Sequence, residues 1–125
     1  MPNDSMTKRK YDLEERTTKF GQQVIVFSRK IYENQVTRPL ISQLIRAATS
    51  IGANYCEADD AESRRDFKHK IGICKKEARE TKHWLNMIAT APPPLSDEVN
   101  ILSNEAKELN LIFNAIINST NRNDS

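Results

Sequence analysis

The sequence predicts an all-α protein, an antiparallel up-down-up-down four-helix bundle. Three observations carry that prediction. Helix breakers are scarce, with 3 glycines and 5 prolines in 125 residues, three of the prolines together at 92–94. Four segments repeat apolar residues at steps of three and four, which puts each set on one stripe of a helix. The connections between the segments are short, which makes consecutive helices antiparallel neighbours. A chain of this length forms one domain and buries about two thirds of its unfolded surface, enough for an ordinary core.

The first stripe is Leu13, Thr17, Phe20, Val24, Phe27 and Ile31. "NQVTRP" at 34–39 then ends one helix and starts the next, with Thr37 as N-cap and Pro39 in the first turn. The second stripe is Leu40, Leu44, Ala48, Ile51, Tyr55 and Ala58, widened by Ile41, Ile45 and Ala47. No Gly or Pro separates Ala58 from Arg65, so the turn must come from "DDAES". Asp59 and Asp60 oppose the macrodipole at a helix C-terminus and weaken it there. Ser63 with Asp66 resembles a capping box and opens the third helix. Its stripe is Phe67, Ile71, Cys74, Ala78, Thr81, Leu85 and Ile88. "APPPLSDE" stops that helix, and Ser96, Asp97 and Glu98 start the fourth, with Val99, Leu102, Ala106, Leu109, Phe113 and Ile116 inward. The expected organisation is a disordered segment over 1–11, the bundle over 12–118 and a disordered tail over 119–125.

Several functions find no support in the residues. There is no apolar run near 18 residues, so no membrane span is expected, and the N-terminal stretch has no signal-peptide core. Cys56 and Cys74 make no disulfide framework, which points to a cytoplasmic protein with reduced thiols. Carboxylate-bridged metal sites in bundles need Glu-x-x-His pairs facing inward. The one such pair, Glu80 and His83, falls at about 240° and 180° on a wheel with Cys74 at zero, away from the core stripe. Cys74 reads as core filler, and Trp84 and Tyr32 read as packing at the bundle edge. No Gly-rich phosphate loop or Ser/His/Asp ordering is visible. We expect no catalytic residues, no metal and no cofactor.

Charge is more informative than its net value of +2. Residues 64–83 hold eight Lys and Arg against three Asp and Glu, while residues 96–125 hold two against five. On the third helix Arg64, Lys68, Lys75, Arg79 and Lys82 share a flank at about 80–140°, with Arg65 and Lys76 just beyond. Asp66, Glu77 and Glu80 lie on the opposite flank. Three readings are open: a solvated face, a contact with the opposite flank of another copy, and a track for a phosphate backbone.

The stretch "SIGANYCEADDAESRRDF" at 50–67 carries the remaining signal. Ser50, Asn54, Glu57 and Ala61 form a second, polar stripe beside Ala47 and Ala53, a pattern suited to a helix–helix seam within or between subunits. At Ser50, Ile51, Ala53, Asn54 and Glu57, then Ser63, Asp66 and Phe67, the chain resembles the bacterial four-helix-bundle proteins named for reading frames inside intervening sequences of large-subunit ribosomal RNA genes. "DLEERTTKF" at 12–20 and "KEARETKHWL" at 76–85 extend the resemblance over roughly residues 12–117. The chain departs from the pattern at Ala58, where many members have Gly, and at Tyr55 and Cys56. The resemblance implies a ring-shaped homo-oligomer, typically a pentamer. The related accessory variability determinants of diversity-generating retroelements form similar rings and bind a reverse transcriptase and nucleic acid through basic surfaces. The resulting expectation is a non-enzymatic ring-forming accessory protein. Its basic face, Arg64, Arg65, Lys68, Lys75, Lys76, Arg79 and Lys82, meets RNA, DNA or a nucleic-acid enzyme such as a reverse transcriptase. Ser50, Asn54, Glu57, Ser63 and Asp66 form its structural motif. The alternative is a protein–protein interaction module with no nucleic-acid role.

Overall fold

The computed structural model describes residues 3–124 and, for side chains, residues 13–123. Four helices follow one another: α1 (Asn3–Ser28), α2 (Thr37–Asp59), α3 (Arg64–Ile88) and α4 (Ser96–Asp124). They pack as a four-helix bundle, and the described residues contain no strand.

The apolar stripes become the core. All six residues of the first stripe are buried, as are Leu44, Ala48, Ile51, Tyr55 and Ala58 of α2. In α3 the stripe from Ile71 to Ile88 is buried, and in α4 the stripe from Val99 to Phe113. Leu40, Phe67 and Ile116, the stripe ends, pack partly buried against this cluster. Across the centre the Tyr55 ring of α2 lies tilted against Phe113 of α4, centroids 6.2 Å apart. Thr17 and Thr81 sit in the core because each hydroxyl donates to its own helix, to the carbonyls of Leu13 and Glu77 at 2.7 Å.

Polar pairs between helices run in a consistent order. Between α2 and α3, Arg46 meets Glu77, the Cys74 thiol donates to the Ile51 carbonyl, and Lys70 reaches Glu57. As one residue number rises, its partner's falls. Arg16 with Glu105 and Lys30 with Glu98 do the same between α1 and α4. Helices α1 and α2 approach closely at glycines: a β-carbon on Gly52 would stand 3.3 Å from Thr17 Oγ1, and one on Gly21 3.7 Å from Thr49.

The helix ends differ from expectation in three places. Helix covers residues 3–11 and 119–124, where disorder was expected; residues 1, 2 and 125 of those segments lie outside the described residues. No Gly or Pro stands in either stretch to end the hydrogen-bond ladder. At the other end α1 stops at Ser28, and Ile31 reaches the core from a final turn in which its N–H donates to the Ser28 carbonyl. The α2 cap is also not Thr37. Asn34 Oδ1 accepts from the N–H groups of Val36 and Thr37, while Thr37 is the first helical residue, buried, its hydroxyl donating to the Tyr32 carbonyl. Asparagine does this well because its side chain reaches the backbone two and three residues on. Tyr32 itself is 67% exposed, so its ring does not pack at the bundle edge.

The α3 cap follows the expected pattern: Ser63 is extended, and its hydroxyl accepts from the Asp66 N–H at 3.0 Å. Ser63→Ala is expected to cost about 1 kcal/mol, read as a lower midpoint in urea at unchanged slope.

Candidate functional site

The basic flank lies on α3 because the opposite, apolar flank of the same helix fixes its rotation in the bundle. Arg65, Lys76 and Arg79 are exposed, while Lys68, Lys75 and Lys82 are half-buried. Lys75 is tied down, donating to Asn114 Oδ1 of α4 at 2.9 Å, and Asn110 in turn donates to the Lys75 carbonyl. Arg64 and Lys68 line a surface recess with Arg65 and His69 at the start of α3. Among the described residues Arg65, Lys76 and Arg79 have no ion-pair partner.

The acidic flank behaves differently from its sequence-based placement. Glu77 is buried, its side chain 7% exposed, and accepts from Arg46 Nη1 of α2 at 2.9 Å. Glu80 is bound by the other nitrogen of the same guanidinium and by Trp84 Nε1. One arginine thus holds both carboxylates, in a fork that lysine could not supply. Two of the three carboxylates of the acidic flank, Glu77 and Glu80, are therefore engaged inside the chain, while Asp66 is exposed. Trp84 packs partly buried against the core, as the sequence implied, and His83 lies edge-on to its ring. His83 is exposed, and the described residues contain no group of three or more His, Cys, Asp or Glu placed to share a metal ion.

The polar stripe of α2 divides. Ser50 donates to the Arg46 carbonyl at 2.6 Å and Asn54 to the Ser50 carbonyl at 2.8 Å, both within α2. Only Glu57 reaches another helix, accepting from Lys70 Nζ at 2.7 Å. Within the chain the seam is thus one ion pair, and Ser50, Ala53 and Asn54 stay on the outer side of α2. Asp66 serves through its backbone, as the N–H that Ser63 caps.

The two thiols contrast. Cys56 is exposed and Cys74 buried. Burial pushes the Cys74 thiol from its ordinary 9.0 up to about 12. Burial first, then the charges of Asp59 and Glu14, push the Tyr55 hydroxyl from 10.0 up to about 12. Both groups fold neutral and ionise more readily when unfolded, so the unfolded chain binds fewer protons above pH 9. Stability is expected to fall as pH rises from 9 toward 12, read as midpoints in urea. At neutral pH a disulfide reagent should titrate Cys56 in the folded protein and reach Cys74 only after unfolding.

The described helices include none long and apolar enough to cross a membrane. The model of a family described as the 23S rRNA-intervening sequence protein matches residues 9–115. The fold is similar to that of a crystal structure, at 1.70 Å, of a protein of unknown function from the S23 ribosomal protein family of Bacteroides thetaiotaomicron. The two chains are 30% identical, with a TM-score of 0.76, and the match covers 84% of this chain and 97% of the other. The sequence matches no curated protein.

Proposed function

We propose that this chain, which belongs to the 23S rRNA-intervening sequence protein family, is a non-enzymatic accessory protein. It assembles as a ring of antiparallel bundles and offers the outer face of α3 to nucleic acid or to an enzyme bound to nucleic acid. The observation that carries this reading is the unequal use of charge on α3. Glu77 and Glu80 are held by Arg46, whereas Arg65, Lys76 and Arg79 stand exposed without an ion pair among the described residues. Like charges three and four residues apart cost a helix a few tenths of a kcal/mol per pair, about 0.2–0.5. A polyanion would convert that cost into binding by releasing counterions. The matching family is named for 23S rRNA and the structural neighbour for a ribosomal protein family, which makes RNA the first polyanion to test.

The antiparallel arrangement is supported by the opposite order of the Arg46–Glu77, Ile51–Cys74 and Glu57–Lys70 pairs. Ring assembly is supported by two unlike outer faces on helices that lie across the bundle from each other. One is the small polar stripe of Ser50, Ala53 and Asn54 on α2. The other is the outer face of α4, where two apolar side chains stand out among polar ones, Ile101 68% and Leu111 52% exposed. Unlike faces on opposite sides of a subunit allow head-to-tail contacts that close on themselves. Those apolar residues also favour the second reading, a protein–protein module with no nucleic-acid role.

Two measurements decide. A labelled RNA duplex and its DNA counterpart are titrated with the protein, followed by anisotropy at low and moderate salt. Binding that weakens by orders of magnitude between about 50 and 200 mM salt is expected. Undetectable binding at low salt sinks the nucleic-acid reading and leaves the protein module. Light scattering should give a multiple of the 14.3 kDa chain mass, five by family resemblance. A clean monomer at micromolar concentration rules out the ring.

A further inference from the structure

Two of the three glycines lie against a neighbouring helix, and the third faces nothing inside the chain. Gly21 and Gly52 lie where α1 and α2 touch, with Thr49 and Thr17 against them. A β-carbon on Gly72, in the middle of α3, would meet nothing within 4 Å. Its φ is not positive, so no unusual backbone calls for it. A glycine inside a helix lowers stability relative to alanine. Here that loss is not offset by packing within the chain.

What surrounds Gly72 is charge. One turn away along the helix stand Lys68 and Lys76, with His69 and Lys75 beside them, and two turns away Arg65 and Arg79. Arg65, His69, Lys76 and Arg79 are exposed. The recess lined by Arg64, Arg65, Lys68 and His69 opens at one end of this set. The result is a bare stretch of helix surface rimmed by cations. A missing side chain lets a group come closer to the helix axis than any other residue would, while the long Lys and Arg side chains reach around it.

We infer that Gly72 is the contact centre of the basic face, a notch in which one phosphate of an RNA backbone lies against the α3 surface between Lys68, Lys76 and the flanking arginines. The inference rests on the nucleic-acid reading above and names the point of closest approach within it. Charge selects a phosphate backbone as the occupant: the rim carries cations and no large apolar side chain, so a second protein helix would find little to bury. Recognition of this kind follows backbone shape and charge and is indifferent to base sequence.

The test uses the full chain, Gly72→Ala and Gly72→Leu, with a fluorescein-labelled RNA duplex as probe. Open space around the β-carbon lets both variants fold, and alanine should raise the melting temperature by about 3–4 °C. The expected result is opposite signs: a more stable protein that binds RNA more weakly, by about threefold for Gly72→Ala and at least about tenfold for Gly72→Leu, the scale of one charge-assisted contact. Wild-type protein that does not bind RNA at low salt overturns the nucleic-acid reading itself. Wild-type binding that Gly72→Leu leaves unchanged overturns the notch and keeps that reading. A Gly72→Leu variant with altered mass by light scattering and unaltered RNA affinity also overturns it, by making Gly72 a contact between protein chains.

Discussion

Reversing Arg65, Lys76 and Arg79 together to Glu is expected to remove RNA binding at moderate salt without destabilising the bundle. These three cations are exposed and have no ion pair among the described residues, so no intramolecular bond is lost. The fold should change little, since a Glu at position 76 meets like charge at 79 and 80 while the other two reversals are favourable. A Glu at position 65 lies in the first turn of α3, where negative charge complements the helix dipole. A Glu at position 79 faces Lys75 and Lys82 one turn away on either side and converts repulsion into attraction. On the binding side, each lost phosphate contact removes about 0.9 from the slope of log K against log salt, so three remove about 2.7. Residual binding would then be limited to Arg64 at the start of the helix and to Lys68, Lys75 and Lys82, which are half-buried, with Lys75 already engaged by Asn114. The measurement is anisotropy across a salt series, with a thermal melt alongside. Unchanged affinity and slope would show that the face is merely solvated. A variant whose oligomer dissociates while RNA affinity per chain persists would make the stripe an interface between copies.

The second large effect is in the core. Phe113→Ala is expected to cost about 3–5 kcal/mol, because the ring is fully buried and lies against Tyr55, the contact that joins α2 to α4 across the bundle. For a chain of this length that lowers the melting temperature by about 10–20 °C. Leu111→Ala, two residues earlier on the same helix, removes a side chain that is half exposed and should stay within about 0.5 kcal/mol. The two melts are compared at one protein concentration, since assembly makes the midpoint concentration-dependent. Equal losses for the pair would mean that α4 is rotated from the orientation described.

Much of the fold was legible residue by residue. The stripes at Leu13 to Ile31 and Ile71 to Ile88 become buried faces because apolar periodicity and helical geometry are both local properties. The Ser63 cap was legible for the same reason, since a hydroxyl and an N–H three residues on meet wherever a helix begins. The basic flank was legible as a flank, and four helices as a bundle. The family was legible in the motif from Ser50 to Phe67, which the match over residues 9–115 shows.

Other positions turn on partners, near or far, that residue type alone does not reveal. Glu77 reads as a solvent-facing acid because its helix neighbours are charged, yet it is buried by Arg46, 31 residues upstream. Thr37 is the obvious cap by residue type, yet Asn34 Oδ1 takes the N–H groups of Val36 and Thr37, and the buried Thr37 hydroxyl donates back to the Tyr32 carbonyl of the loop. Ser50 and Asn54 look like a seam between helices; within the chain each donates to a carbonyl four residues back on α2 and neither reaches another helix.

The sequence by itself determined which residues form helices, which stripe of each is apolar, and that positive charge gathers on one flank of α3. Those follow from spacing along a single helix, where every neighbour is within four residues. Only the tertiary structure decided which charges are spent and which remain. Whether a carboxylate meets an arginine, or a glycine meets a threonine, depends on helices far apart in the chain. That proximity occupies Glu77 and Glu80, packs Gly21 and Gly52, and leaves Gly72 bare among the cations of α3.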